Sequence, residues 1–357
     1  MITSPAPPQA LICIITIQGK AEMNQVISTQ LMFFDVLKKR LPANLSLVHE
    51  LSELLGISYD SAYRRLRGEK DLSIEELRRL CIHYDISFDS LINIDHRHKV
   101  FNSIDLQGDS FNYYTKLSAI VKDVSKKVLD CQYKDVIFCT KEISLFHFIP
   151  FPELLAFKLF FWSRIQYRLS ERQDRRFSTA DDYSGLLGLN QEIYAYYLHI
   201  PKYEIWCNET LQCTLRQISY CWESGFFADV RDAIYLCELL EQLYSHLKIQ
   251  AEAGYNFPYG SEHSGIDNSF SVYYNDVFLV DCTILINTDH RMTAYLTYNG
   301  LNLLATQDAE ICLQIEQSLR NTMQSGVLIS GTSAKERNHL FKGLIDDIRA
   351  LKESLRG

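Results

Sequence analysis

Leu51-Ser52-Glu53-Leu54-Leu55-Gly56-Ile57-Ser58-Tyr59-Asp60-Ser61-Ala62-Tyr63-Arg64-Arg65-Leu66-Arg67-Gly68 is the phrase that decides how the first part of the chain folds. Leu51, Leu54 and Leu55 make the apolar face of a short helix. Gly56 falls just past its end, where the backbone turns left-handed and only Gly does so cheaply. Ile57 follows as an apolar plug. Ser58 is a good N-cap for a second helix, Tyr59 to Arg67, which Gly68 ends. Two helices that cross closely need small side chains at the crossing, and Ser52 and Ala62 supply them.

Working outward, Asn24 to Ile94 reads as five short helices. The first covers about Val26 to Leu41, with Phe34, Leu37 and Leu41 on one face, and Pro42 and Asn44 break it. The second and third are the pair above. Ser73-Ile74-Glu75-Glu76 is a capping box that opens the fourth, with Ile74, Leu77, Leu80, Cys81 and Tyr84 expected inward. Ser87 caps a fifth helix that carries Phe88 and Leu91. The second and third helices have the mechanics of a helix-turn-helix, whose second member offers an exposed face to a major groove.

On these residues, and on the trailing pattern Gly68-Glu69-Lys70 … Leu72-Ser73-Ile74-Glu75-Glu76-Leu77 … Leu80 … Tyr84-Asp85-Ile86-Ser87-Phe88-Asp89-Ser90-Leu91, the stretch resembles the lambda-repressor-like (Cro/XRE) family of DNA-binding domains. The resemblance covers about a fifth of the chain. It implies a bacterial, cytoplasmic transcription regulator whose partner is double-stranded DNA, acting as a homodimer on a palindromic operator. It also implies that the start of the third helix reads bases. Those positions fall on Tyr59 and Asp60, and one turn later on Arg64, with Ser58 and Ser61 completing the contact surface. Tyr59 and Tyr63 would pack on thymine methyls or bond phosphates. Asp60 would accept from a cytosine amine or hold Arg64 through an i,i+4 pair. Arg65, Arg67 and Lys70 would contact phosphates, which orient a domain without reading sequence. Two departures stand out. Ser52 replaces the Ala the family prefers. The inward position three residues after Ala62 is Arg65, so Leu66 is expected to do the packing on a slightly rotated helix.

Composition bounds the alternatives. The chain has 357 residues, which suggests two or three domains, and its 47% hydrophobic and 22% charged content is ordinary globular usage. Net charge is −8, so nucleic-acid contact must come from a local patch. Asn24 to His98 carries ten Lys/Arg against eleven Asp/Glu, but Arg64, Arg65, Arg67 and Lys70 concentrate at the third helix. No apolar run is long enough for a spanning helix, so no membrane partner is expected. The nearest candidate, Leu145 to Trp162, contains His147, Pro150, Pro152, Glu153 and Lys158 and reads as a buried core segment. The ten cysteines form no C-x-x-C pair and no zinc-finger spacing, so they read as structural thiols in a reducing compartment. His96 and His98 lack a carboxylate or thiol partner, so no metal and no cofactor is expected.

The organisation expected is an extension or upstream start at 1–22, the helix-turn-helix domain at 23–95, a polar linker at 96–111, a helical domain at 112–255 and an α+β subdomain at 256–357. The fold class is therefore mainly α, with a five-helix lambda-repressor-like domain and a larger, mostly helical C-terminal domain carrying a small β-sheet near its end. Helices are expected at Asn112–Asp130, Glu153–Leu169, Tyr183–Leu198, Glu209–Ser224, Ala228–Ala253, Gln307–Gln324 and Ser333–Leu355. Strands are expected at Asp135–Thr140, Phe270–Tyr274, Val277–Asn287 and Met292–Tyr298, with Asn299-Gly300 a turn. Arg164, Arg168, Arg172, Arg175 and Arg176 alternate with Glu171 and Asp174 and read as an ion-paired surface. The glycines of Gly260 to Gly265 lack the Lys-Ser/Thr of a phosphate loop. No nucleophile elbow, H-E-x-x-H or dinucleotide fingerprint occurs, so no catalytic residue is assigned. The aromatic content of the helical region is compatible with a peptide or small-molecule effector, and a plain hydrophobic core explains it equally well. The architecture also looks similar to a loose group of bacterial regulators that join such an N-terminal domain to a long C-terminal region.

Overall fold

A computed structural model describes residues 28–41, 45–84, 86, 101–104, 110–166, 168, 173–261, 269–277, 282–289, 291–298 and 302–356. The chain divides into two compact units, Met1–Lys99 and Val100–Gly357. The expectations for 1–22, for the fifth helix, for His96 and His98 and for the Asn299-Gly300 turn lie outside the described residues.

The first unit contains α1 (Thr29–Arg40), α2 (Leu47–Leu55), α3 (Tyr59–Leu66) and α4 (Ile74–His83). Phe33, Phe34, Leu37, Val48, Leu51, Leu55, Ala62, Leu80 and Ile86 form its core. Ala62 is fully buried, as the close crossing of α2 and α3 requires. One core expectation fails: Ile74, at the first position of α4, is 86% exposed. The buried face of α4 instead centres on Leu80, with Leu77, Cys81 and Tyr84 packed partly against the cluster.

The second unit is built on an eight-stranded sheet. In chain order it runs β1 (Asn102–Ile104), α5 (Ser110–Leu129), β2 (Lys134–Cys139), α6 (Pro152–Phe161), α7 (Ser184–His199), β3 (Lys202–Trp206), α8 (Asn208–Glu223), α9 (Val230–Ala253), β4 (Phe270–Tyr274), β5 (Thr283–Thr288), β6 (Met292–Tyr298), β7 (Asn302–Thr306), α10 (Ala309–Gln324), β8 (Val327–Leu328) and α11 (Ala334–Arg356). The strand order is β1-β7-β6-β5-β2-β3-β4-β8. β2, β3 and β4 are parallel neighbours; every other pairing is antiparallel. This corrects the expectation of a small sheet near the end of the chain. It also joins segments 112–255 and 256–357, because β2 and β3 come from the first and β4 to β8 from the second. β1 comes from the expected linker.

The sheet is covered on both sides, as parallel strands demand. On one face Trp206, Phe270 and Val272 meet Phe157, Leu236, Leu240, Tyr244, Phe341 and Leu344, so α6, α9 and α11 pack there. Val136 and Phe138 on the same face meet Val128 of α5 and Tyr197 of α7. On the other face Ile137, Ile205 and Leu285 pack against Cys312, Leu319 and Met323 of α10. The segment 145–162 is largely buried, including Phe148, Leu154, Leu155, Phe157 and Lys158. No described helix is long and apolar enough to cross a membrane. The nine described cysteines are free thiols.

Candidate nucleic-acid interface

The turn between α2 and α3 is fixed by local chemistry. Gly56 has φ of 68°, and its amide bonds the Ser52 carbonyl. The Ser52 hydroxyl donates to the Ile57 carbonyl at 2.6 Å, so the family's Ala is replaced by a side chain that ties the turn shut. Ser58 caps α3, its Oγ accepting from the Ser61 amide at 3.3 Å. At the far end Gly68 takes φ of 75°. Its amide bonds the Arg65 carbonyl while the Glu69 amide bonds that of Arg64. That pair of bonds is a Schellman cap, which stops the helix after two turns. Gln30 of α1 then clamps the following loop, its Nε2 donating to the carbonyls of Arg65 and Lys70 and its Oε1 accepting from the Leu72 amide.

These ends leave one face of α3 outward. Tyr59, Asp60, Tyr63, Arg64 and Arg67 are exposed, as are Ser58 and Lys70. Tyr59 is oriented by His49 of α2, with Oη and Nδ1 2.7 Å apart and the rings stacked. Asp60 and Arg64, both exposed, form no ion pair with each other. Arg67 pairs with Glu69 through a 2.7 Å contact at the surface.

Two of the expected contact residues face the other way. Arg65 is only 4% exposed. Its Nη2 and Nε meet the two oxygens of Glu76, at 2.7 and 3.3 Å, and its Nη1 bonds the Ser61 hydroxyl and carbonyl. Arg65 is therefore the inward residue three positions after Ala62 and is not placed for a phosphate contact. Leu66 also packs partly against the core, as expected. Ser61 is half-buried and commits its hydroxyl to Arg65. Glu76 also accepts from the Ser73 amide at 2.9 Å while the Ser73 hydroxyl accepts from the Glu76 amide, which completes the expected capping box. Burial opposes charge on Glu76, but the Ser73 amide and the Arg65 guanidinium hold its carboxyl below the ordinary carboxylate range. One carboxylate thus caps α4 and pins α3 to it. His49 and Gln30 were missed from sequence; neither sits on α3, and no local pattern marks them.

In the second unit, Glu171 and Arg172 of the expected ion-paired face lie outside the described residues. Arg164 stacks on the Phe226 ring at 4.0 Å and donates to the Arg175 carbonyl at 2.7 Å. Among the described residues no group of three or more His, Cys, Asp or Glu is arranged to hold a metal.

The family model described as Helix-turn-helix matches residues 36–91, which identifies that segment as a lambda-repressor-like helix-turn-helix domain. No curated protein and no solved structure matches the chain.

Proposed function

We propose that this chain, in which residues 36–91 form a helix-turn-helix domain, is a sequence-specific transcription regulator of double-stranded DNA and not an enzyme. It acts as a homodimer on a palindromic operator, with residues 100–357 supplying dimerisation and effector sensing. The observation that carries the reading is the outward face of α3. Arg64 is exposed on it with no ion partner among the described residues, while both helix ends and the buried Arg65–Glu76 pair hold the helix rigid. An unpaired guanidinium on a short, capped helix suits bidentate recognition of guanine O6 and N7. Two copies spaced about one helical turn, ~34 Å, supply the affinity that one small domain lacks.

Selection of bound duplexes from a random pool, followed by polarisation titrations across salt, tests this. Arg64→Ala is expected to cost about 1–3 kcal/mol on the preferred site and to relax sequence preference. Lys70→Ala is expected to weaken all duplexes alike and to reduce the salt slope by about one. Enrichment of no sequence, or equal and salt-insensitive effects of the two variants, sinks the assignment.

Glu69 gives a change of opposite sign. It occupies Arg67 and adds a negative charge beside the groove-facing surface. Glu69→Gln is expected to raise affinity for every duplex by several-fold, as a released cation neutralises one more phosphate. A steeper salt slope should accompany the gain, and an unchanged slope would show that Arg67 never reaches the backbone.

A further inference from the structure

Above the C-terminal ends of β2, β3 and β4 the second unit holds a cavity of about 540 Å³. Topology puts it there. The three parallel strands finish on one side, at Cys139, Trp206 and Tyr274, and α8 starts at the same level. β5 and β8 run antiparallel on either flank of this parallel trio. In open sheets with parallel strands, such a crevice beyond the carboxyl ends is the usual ligand position. The volume is that of a pocket for one small molecule, too small for a folded peptide.

The polar groups beneath the cavity are already committed to one another. Glu142 pairs with the buried Lys158 at 2.5 Å, accepts from Gln217 Nε2 at 2.5 Å and from the Cys213 thiol at 3.1 Å. Lys158 also donates to Gln217 Oε1. Thr210 spends its hydroxyl on the Thr140 carbonyl, and the Asn275 amide bonds the Thr322 carbonyl and the Ser325 hydroxyl. What remains for a ligand is an apolar wall of Phe161, Ile205 and Tyr220 and three charged side chains, Lys141, Arg216 and Glu209. All three are exposed, and none has an ion partner among the described residues. Two cations against one carboxylate leave a surplus of one positive charge.

We infer that this cavity binds a small organic anion, an aromatic or aliphatic body with one carboxylate or sulfonate, the body against Phe161 and Tyr220 and the acid group on Arg216 and Lys141. The inference deepens the effector reading above and rests on it for the ligand's purpose. Binding itself is measured without DNA.

The probes are 8-anilinonaphthalene-1-sulfonate and its uncharged counterpart N-phenyl-1-naphthylamine, titrated by fluorescence into the full chain. The sulfonate probe is expected to fill one saturable site, and the Arg216→Ala/Lys141→Ala variant to bind it about tenfold more weakly, since a charge-assisted contact is lost. Both side chains are exposed, so near-UV circular dichroism should not change. The uncharged probe should not distinguish the variant from the parent. Cys207, half-buried in the cavity wall, is also expected to be alkylated several-fold more slowly when the sulfonate probe is bound, while Cys131, outside the cavity, reacts as before. Undiminished binding to the variant, unsaturable binding, or an unprotected Cys207 overturns the site. DNA affinity of the same samples is read separately: lost probe binding with intact DNA binding rejects the pocket alone, and probe binding without DNA binding rejects the regulator reading alone.

Discussion

Arg65→Met is expected to destabilise the helix-turn-helix unit by about 3 kcal/mol, the low end of what breaking a buried ion pair costs. The low end applies because Glu76 keeps 19% of its side-chain surface in water. Methionine fills the space of the arginine stem but leaves the Glu76 carboxylate without its guanidinium and the Ser61 hydroxyl without a donor. Peptide-resolved hydrogen exchange on the full chain reads the effect. Amides of α3 and α4 should exchange faster by the order of a hundredfold, since 1.4 kcal/mol is about tenfold. The Arg65→Met/Glu76→Gln double variant should recover most of the loss. Gln at this position keeps the capping bond to Ser73 and carries no charge to strand. The pH dependence has a definite sign. The folded-state pKa of Glu76 lies below its unfolded value, so its contribution is complete above about 4.3 and is lost as pH falls through the lower folded value. The parent and Arg65→Met should therefore converge in acid, and Glu76→Gln should flatten that slope. If Arg65→Met left exchange untouched but weakened binding to all duplexes, Arg65 would be a phosphate contact after all.

At Arg65 the helical spacing points inward while the charge of the side chain points to water, and the spacing wins. The Ser58 cap, the Gly56 and Gly68 turns and the Ser73–Glu76 box are local and short-range, and each appears in the structure where the residues place it. The inward position after Ala62 was also legible from helical spacing. A charged residue there looked outward because burying an arginine needs a partner, and the partner sits eleven residues on, in the capping box itself. Ile74 failed for a related reason: an apolar residue at the first position of a helix has no neighbouring turn to pack under. In the second unit, strands that alternate or end in turn residues, Phe270–Tyr274 and Met292–Tyr298, were found to the residue. β3 was not. Its sequence, Lys-Tyr-Glu-Ile-Trp, puts two charged groups on the face that meets the helical core, and the period-two rule assigns such a face to water. The missed strand removed the link between β2 and β4, and with it the large sheet and the crevice beyond its parallel ends. Which elements share a sheet is a long-range fact that no local pattern encodes.

The charged face of β3 carries the other large expected effect. Lys202→Met should stabilise the second unit at pH 7 by about 3 kcal/mol, the order that a lysine pKa lowered by burial from about 10.4 to about 7 corresponds to. Lys202 is 1% exposed, and its Nζ lies 3.9 Å over the Tyr197 ring with no hydrogen-bond partner among the described residues. Its neighbour Glu204 is equally buried but well served. Burial works against its charge, yet His147 at 2.8 Å, the Tyr197 hydroxyl at 2.6 Å and the Trp206 indole at 2.8 Å hold its carboxyl below the ordinary range. Lys202 has no such set of donors or acceptors, and burial lowers its pKa to about 7, the pull of Glu204 offsetting only part of that. The unfolded chain keeps the lysine protonated up to about pH 10.4, so between about 7 and 10.4 it binds more protons than the folded chain. Stability of the parent should therefore rise as pH rises through that window, and the penalty should be complete below it. Lys202→Met carries no such proton, so it should remove this component of the slope and close on the parent near pH 10. The tryptophans, Trp162, Trp206 and Trp222, all lie in the second unit, so their fluorescence during urea unfolding reports that unit alone. A Lys202→Met variant that is less stable at pH 7, with the parent's slope intact, would mean that the ammonium is satisfied in place and that β3 tolerates its charges without cost.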